Sequence, residues 1–366
     1  MKLLVAGTLV PYGWVGAALV CLLWGCKESG PQPDSLGGIG EVLVVSDTRL
    51  WEGEEGVLLR KALSCEQYGL PQPEPWFRLL PIQDLGANKY QQRHRMILHV
   101  RIGSAGTELP DVLRQASQEA LASKGIYQAS VKDVQAFPQR VIWLVAKDRE
   151  ELRNYLAQKG DRLRSWMLKA DKALVLAKLQ RLQHSDTLGV LLRDSLGLEC
   201  PALPADYRIK GLRKGFVWVS RDIPEGSMNL CLWLDSAVES RASGTYGIGE
   251  EELLAKRNAV MKEWVPGPSP GSYYVTETLL TPEVVATREG RECRGLWKVE
   301  GDFMGGPFVH RQWNANGRTL NAEAFVYAPN QPKRAWLREL EALMESVQTV
   351  GPYGAQGRAV NEKKDG

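Results

Sequence analysis

The chain has 366 residues, 44% of them hydrophobic and 24% charged, the proportions of a folded protein of about two domains. Lys and Arg number 46 against 43 Asp and Glu, a formal net charge of +3, too weak a field to hold a phosphate backbone as a main partner. Composition therefore argues against wholesale disorder, a collagen-like fibre and nucleic-acid binding. Met1 and Lys2 lead into an uncharged, mostly apolar run from Leu3 to Gly25, long enough for the hydrophobic region of a secretory signal.

That run ends Leu23-Trp24-Gly25-Cys26. An aliphatic residue three positions before a cysteine, with a small one directly before it, fits a lipoprotein signal peptidase site. Trp24 is an unusual filler, and Cys21 follows the branched Val20, so Cys26 is the expected acylation site. The competing reading is an uncleaved anchor, because the run also suffices to cross a hydrocarbon core of roughly 30 Å. Residues 1–25 are thus expected to be a signal peptide. Residues 26–40, punctuated by Gly30, Pro31, Pro33, Gly37 and Gly38, read as a tether. Acyl chains, at about 0.8 kcal/mol per buried CH₂, would fix the protein to a membrane.

Glu41 to Ser46 predicts a strand and Gly56 to Ser64 a helix. Leu70 to Phe77 (LPQPEPWF) has prolines that forbid a helix and a central strand, so it reads as an extended connector into a strand from Phe77 to Ile82. Arg95 to Ile102 and Arg140 to Ala146 are further strands, separated by a helix from Leu109 to Lys124 with Pro110 at its start and Gly125 at its end. Asp148 to Leu196 carries helical periodicity, with breaks expected at Gly160 and at His184-Ser185. Pro201 to Pro204 marks a boundary. Strands then follow at Phe216 to Ser220, Met228 to Asp235, Tyr273 to Thr278, Arg294 to Val299, Phe308 to Trp313 and Asn321 to Tyr327. Helices are expected from Glu250 to Val265 and from Lys333 to Val347. Asn314 to Gly317 has the residues of a hairpin turn, and 351–366 reads as a disordered tail. The expected fold class is α+β, with mixed or antiparallel sheets packed by helices and two similar halves, 41–200 and 205–350.

Chemistry motifs fail on context. Gly267-Pro-Ser269-Pro-Gly271 matches a nucleophile elbow in letters only, because Pro270 has no N–H for an oxyanion and no strand precedes the serine. His94 and His99 are five apart on a predicted strand and face opposite ways. Gly37 to Gly40 precedes its strand, and Gly247 to Gly249 runs into Glu250, Glu251 and Glu252, so neither cradles a phosphate. Cys65, Cys200, Cys231 and Cys293 form no CxxC pair; one or two disulfides, or buried free thiols, both fit. Among the tryptophans, Trp51, Trp76, Trp264 and Trp313 border loops and are the ones a glycan could stack on. No catalytic, cofactor-binding or metal-ligating residue is assigned.

Arg294 to Arg311, RGLWKVEGDFMGGPFVHR, closely resembles the signature of an uncharacterised lipoprotein family of Bacteroidetes, domain of unknown function 4837. EVLVVSDTRLW at Glu41, LPQPE at Leu70, RNAVMKEWVPG at Arg257 and EAFVYAP at Glu323 resemble its other blocks in order, over nearly the whole mature chain. The resemblance implies an acylated N-terminus and brings no catalytic residues. Within the signature, Glu300 and Asp302 precede the tight Gly305-Gly306 connection, and His310 and Arg311 follow it. If the flanking strands pair, these six residues form a candidate ligand rim, or else an ordinary hairpin with cross-strand pairs. The functional expectation is an acylated cell-envelope lipoprotein, at the outer membrane, acting as a non-catalytic binding or assembly module. Its partners would be the membrane, through the acyl chains, and an envelope protein or glycan. The alternative is an envelope enzyme acting on glycan or peptide through carboxylates such as Asp302 or Glu74.

Overall fold

The computed structural model describes residues 32–104, 109, 111–235, 249–287 and 290–350. The expected signal peptide, Cys26 and the 351–366 tail lie outside the described residues. The described residues from Asp34 onward belong to one compact unit.

The first sheet is built from β1 (Glu41–Val45), β2 (Arg78–Ile82), β3 (Met96–Ile102), β4 (Ile126–Lys132) and β5 (Arg140–Ala146). Its order is β2-β1-β3-β5-β4. The pairs β1–β2, β1–β3 and β3–β5 are parallel, and β4 closes the edge antiparallel to β5. Central strands of such sheets are covered on both faces, which is why β1 and β5 read as unbroken apolar runs. Val42 and Val44 face one core with Leu98 and Ile142, while Leu43 and Val45 face the other with Ile97 and Trp143. Helices α1 (Thr48–Glu52), α2 (Glu54–Leu63) and α3 (Lys89–Gln92) sit in the connections, and α4 (Asp111–Lys124) leads into β4.

Helix α5 (Arg149–Leu179) runs without a break through Gly160. The expected break there is corrected by packing: a Cβ on Gly160 would lie 2.8 Å from the Ala62 Cβ, so this glycine lets α2 and α5 approach. The second expected break is real, since the Ser185 hydroxyl accepts from the Leu188 N–H at 3.3 Å and starts α6 (Asp186–Leu196). Gly197, at φ 65°, ends it.

The second sheet has eight strands: β7 (Arg208–Arg213), β8 (Phe216–Ile223), β9 (Gly226–Leu234), β10 (Tyr273–Glu277), β11 (Glu283–Ala286), β12 (Gly290–Glu300), β13 (Gly305–Ala315) and β14 (Arg318–Tyr327). Its path is β10-β12-β13-β14-β9-β8-β7, with β11 also on β12, and every pairing is antiparallel. The β13–β14 turn holds Asn316 and Gly317 at φ 53° and 81°, the conformation their residue types favour. Helix α7 (Glu250–Trp264) covers what we term the front face. The C-terminal turns of α5, α6 and α8 (Arg334–Ser346) cover the back, and a short ribbon pairs β6 (Leu198–Glu199) with β15 (Gln348–Thr349).

The fold is α+β, but the expectation of two similar halves is corrected: one sheet is mainly parallel through helical crossovers, the other wholly antiparallel. The back-face core also gathers Val175, Leu179 and Leu188 from before the Pro201–Pro204 loop with Leu230, Ala322 and Leu340 from after it.

Gly160→Leu is expected to lower unfolding free energy by about 1–3 kcal/mol through overpacking. Gly189→Ala, inside α6 with nothing within 4 Å of its added Cβ, should raise it by about 0.5–1 kcal/mol. Denaturant titration of both variants checks the pair.

Candidate functional site

The candidate rim residues divide among three places. Strands β12 and β13 do form the hairpin, in register from Lys298↔Gly305 to Gly290↔Trp313. At its tip Glu300 pairs with Lys298 at 3.5 Å. Asp302 accepts from the Ser269 hydroxyl and from the Phe303 N–H, both at 2.6 Å, and these bonds hold its carboxyl below the ordinary value. Gly306 is a glycine because a Cβ there would lie 2.0 Å from the Val326 carbonyl oxygen of the neighbouring strand. His310 lies further along β13 on the front face, and its neighbour Arg311 points to the back, as side chains alternate along a strand. The hairpin therefore brings Glu300, Asp302 and Gly305-Gly306 to one end but does not bring His310 or Arg311 to them.

On the front face the register aligns Trp218, Cys231, Glu323, His310 and Cys293 in a row across β8, β9, β14, β13 and β12. Arg257 descends onto this row from α7 with no exposed side-chain surface. Its Nε donates to both Glu323 oxygens at 3.1 and 3.0 Å, Nη2 to Glu323 at 2.5 Å and Tyr274 at 2.9 Å, and Nη1 to Asn258 at 2.9 Å and Thr276 at 2.7 Å. The Phe308 ring lies 3.6 Å below the guanidinium. His310 Nδ1 sits 3.1 Å from the second Glu323 oxygen, and Tyr274 donates its hydroxyl to Glu323 at 3.1 Å. Burial alone would raise the Glu323 carboxyl, but Arg257 and His310 outweigh it and hold it below the ordinary range.

Cys293, His310 and Glu323 stand in the order nucleophile, base and orienter, yet the chemistry does not follow. His310 Nε2 has no hydrogen-bond partner, so no thiol–imidazole bond forms, and His310 is 1% exposed. Burial pushes the Cys293 thiol up to about 12 and Cys231 well above its ordinary value, the opposite of an activated thiolate. Cys65, Cys200, Cys231 and Cys293 are all free thiols. The row fastens α7 to the sheet.

The back face holds a second ionic layer. Glu292 accepts from Arg294 at 2.7 Å and from Arg311 at 2.6 Å, and Arg294 also donates to Glu341 of α8 at 2.8 Å. Glu345 joins Arg311, at 3.5 Å, to Lys172 of α5. Asp171, one residue earlier, is fully enclosed between Arg95 at the edge of β3 and Arg338 of α8, the latter at 2.9 Å. Arg338 donates onward to Gln67 at 3.0 Å and to the Trp76 carbonyl at 3.3 Å. Glu74 caps α8, accepting from the Lys333 N–H at 2.6 Å and the Arg334 N–H at 3.2 Å. The proline-rich connector thus seats the last helix, and its carboxylate is committed there. Burial raises and the flanking arginines lower the carboxyls of Asp171, Glu292 and Glu341, and the arginines prevail in each.

Arg257, Glu323, Asp171 and Arg338 were not singled out from the sequence. The available signal was a lone charge within an apolar run, as Glu323 has in NAEAFVY. The exposed counterpart to these enclosed groups is the hairpin tip, where Phe303 has a relative exposure of 105%. Its base is stiffened by the Ser269–Asp302 bond and by the Val299 N–H donating to the Met304 carbonyl at 2.8 Å.

Residues 192–346 match the family model described as Domain of unknown function (DUF4837), and residues 35–180 match a second, described as Domain of unknown function (DUF8532). The blocks at Glu41 and Leu70 therefore fall in the second model's span, which narrows the resemblance expected over nearly the whole mature chain. No curated protein matches the chain. Among solved structures, the crystal structure of human STARD10 aligns over 44% of this chain and 80% of its own at 8% identity, with a TM-score of 0.18, and carries no argument.

Arg257→Met strands Glu323 in the core and should cost about 3–5 kcal/mol, with Arg257→Met/Glu323→Leu recovering much of the loss. Equal losses in denaturant titration would remove the ion pair from the account. For pH, the depressed carboxyls of Asp171, Glu292, Glu323 and Glu341 contribute stability that is complete above their unfolded values of about 4 and lost as pH falls through the lower folded values. An acid titration of stability should show this limb, and Asp171→Asn should flatten it.

Proposed function

We propose, from the premise that residues 192–346 belong to the family described as Domain of unknown function (DUF4837), that the chain is a lipoprotein of the cell envelope. Acylated Cys26 holds it to the outer membrane, and the folded body acts as a non-catalytic binding or assembly module. One contrast supports this reading. Glu292, Glu323, Glu341 and His310 on the second sheet's two faces are enclosed and engaged with structural partners, and the Cys231 and Cys293 thiols are buried, whereas the hairpin tip presents Phe303 to solvent on a braced turn. Large exposed aromatics on rigid supports are the anchors that carry binding energy in interfaces. The partner is an envelope protein with an apolar recess for Phe303.

Phe303→Ser tests the reading in intact cells by lysine-reactive crosslinking and mass spectrometry of the full-length protein. Partners should fall by about tenfold, the equivalent of 1.4 kcal/mol, with the melting temperature unchanged. A crosslinking pattern identical to that of the unmodified chain would overturn the tip as the docking element.

A further inference from the structure

We infer that the surface surrounding Asp34 is the membrane-facing side of the folded body and docks against an anionic phospholipid bilayer. The inference rests on the reading of Cys26 as the lipid anchor. Asp34 lies eight positions after Cys26, a reach of at most about 28 Å when fully extended. Whatever surrounds Asp34 is therefore confined near the bilayer.

Three segments converge there. Asp34 bridges to Phe137 in the loop between β4 and β5, and the Ser35 N–H donates to the Phe137 carbonyl at 3.0 Å. Arg93, directly after α3, donates to the Asp34 carbonyl at 2.7 Å. Arg181, just past α5, lies 3.4 Å above the Phe137 ring and 4.0 Å from the Asp34 carboxylate. Each segment also carries an exposed apolar side chain that the body leaves uncovered: Tyr90 at 75%, Val134 at 44% and Leu182 at 43%.

The same segments supply Lys89, Arg93, Lys132 and Arg181, against Asp34 and Asp133. An aromatic and two aliphatic side chains among excess cations match the composition of interfacial binding surfaces. Each cation near an anionic surface contributes about 1 kcal/mol, declining within a Debye length. Such a patch binds weakly alone and strongly once a tether confines it, because the second attachment is intramolecular.

The test uses the full-length acylated protein in vesicles of phosphatidylethanolamine and phosphatidylglycerol containing brominated lipid. A fluorophore is placed at Val134→Cys or, for comparison, at Phe303→Cys, each in a Cys65→Ser background. Quenching at 134 should exceed that at 303 by at least about twofold, fall in phosphatidylcholine vesicles, and fall again with Tyr90→Ser/Leu182→Ser. Mass spectrometry of the mature N-terminus reads the anchor separately. A chain without acyl groups on Cys26 overturns the anchored reading and the orientation with it. An acylated chain with equal quenching at the two positions, or stronger quenching at 303, overturns the docking surface alone. So does photocrosslinking from 134 that recovers a protein in place of lipid.

Discussion

Asp171 sits inside the long helix that joins the two sheets, with no exposed surface, between an arginine from the first sheet and an arginine from the last helix. A carboxylate in that position without both partners would be a buried, uncompensated charge, costing several kcal/mol. The whole arrangement around it is therefore constrained. Arg95 fixes how α5 crosses the first sheet, Arg338 fixes where α8 lies, and Glu74 and the Trp76 carbonyl hold α8 from the connector side. The hydrophobic cores set the layers, and this ionic seam sets how the layers meet.

A similar logic repeats on the second sheet. The front row clamps α7 through Arg257, and the back layer clamps α8 through Arg294 and Glu341. Both use planar guanidinium groups, which can satisfy several acceptors at once and so tolerate enclosure. The sequence blocks around Arg257, Arg294, His310 and Glu323 contribute to these clamps. Their physical role is to fix a scaffold, and the Gly305-Gly306 step belongs to it by letting Val326 come close.

Much of the secondary structure was legible because its periodicity is strong. β1, β5 and β9 are apolar runs, and α7 and α8 have clear starts or stops. Strand β7 escaped because an exposed edge strand such as RIKGLR has no buried face to impose alternation, and β4 escaped for a related reason, being only partly buried. Gly160 misled because a glycine suited to ending a helix is equally suited to letting another helix approach. The rim of six residues was legible as a hairpin but not as a site. Strand alternation sends His310 and Arg311 to opposite faces, and only the depth of the neighbouring layers reveals that each is occupied. Asp171 was invisible among the many charges of α5, since nothing local marks it as the one facing inward.

The position of α8 in the chain has a consequence for how the molecule is made. Arg338 lies close to the end of the sequence, while the carboxylate it neutralises and the Glu74 that caps its helix belong to segments synthesised far earlier. The first sheet can form its own layers as it emerges, but the seam at Asp171 stays open until the last helix arrives. The contacts that close it span 167 positions from Arg338 to Asp171 and 259 from Lys333 to Glu74, so the seam is a long-range closure whose chain entropy must be met before its ion pairs form.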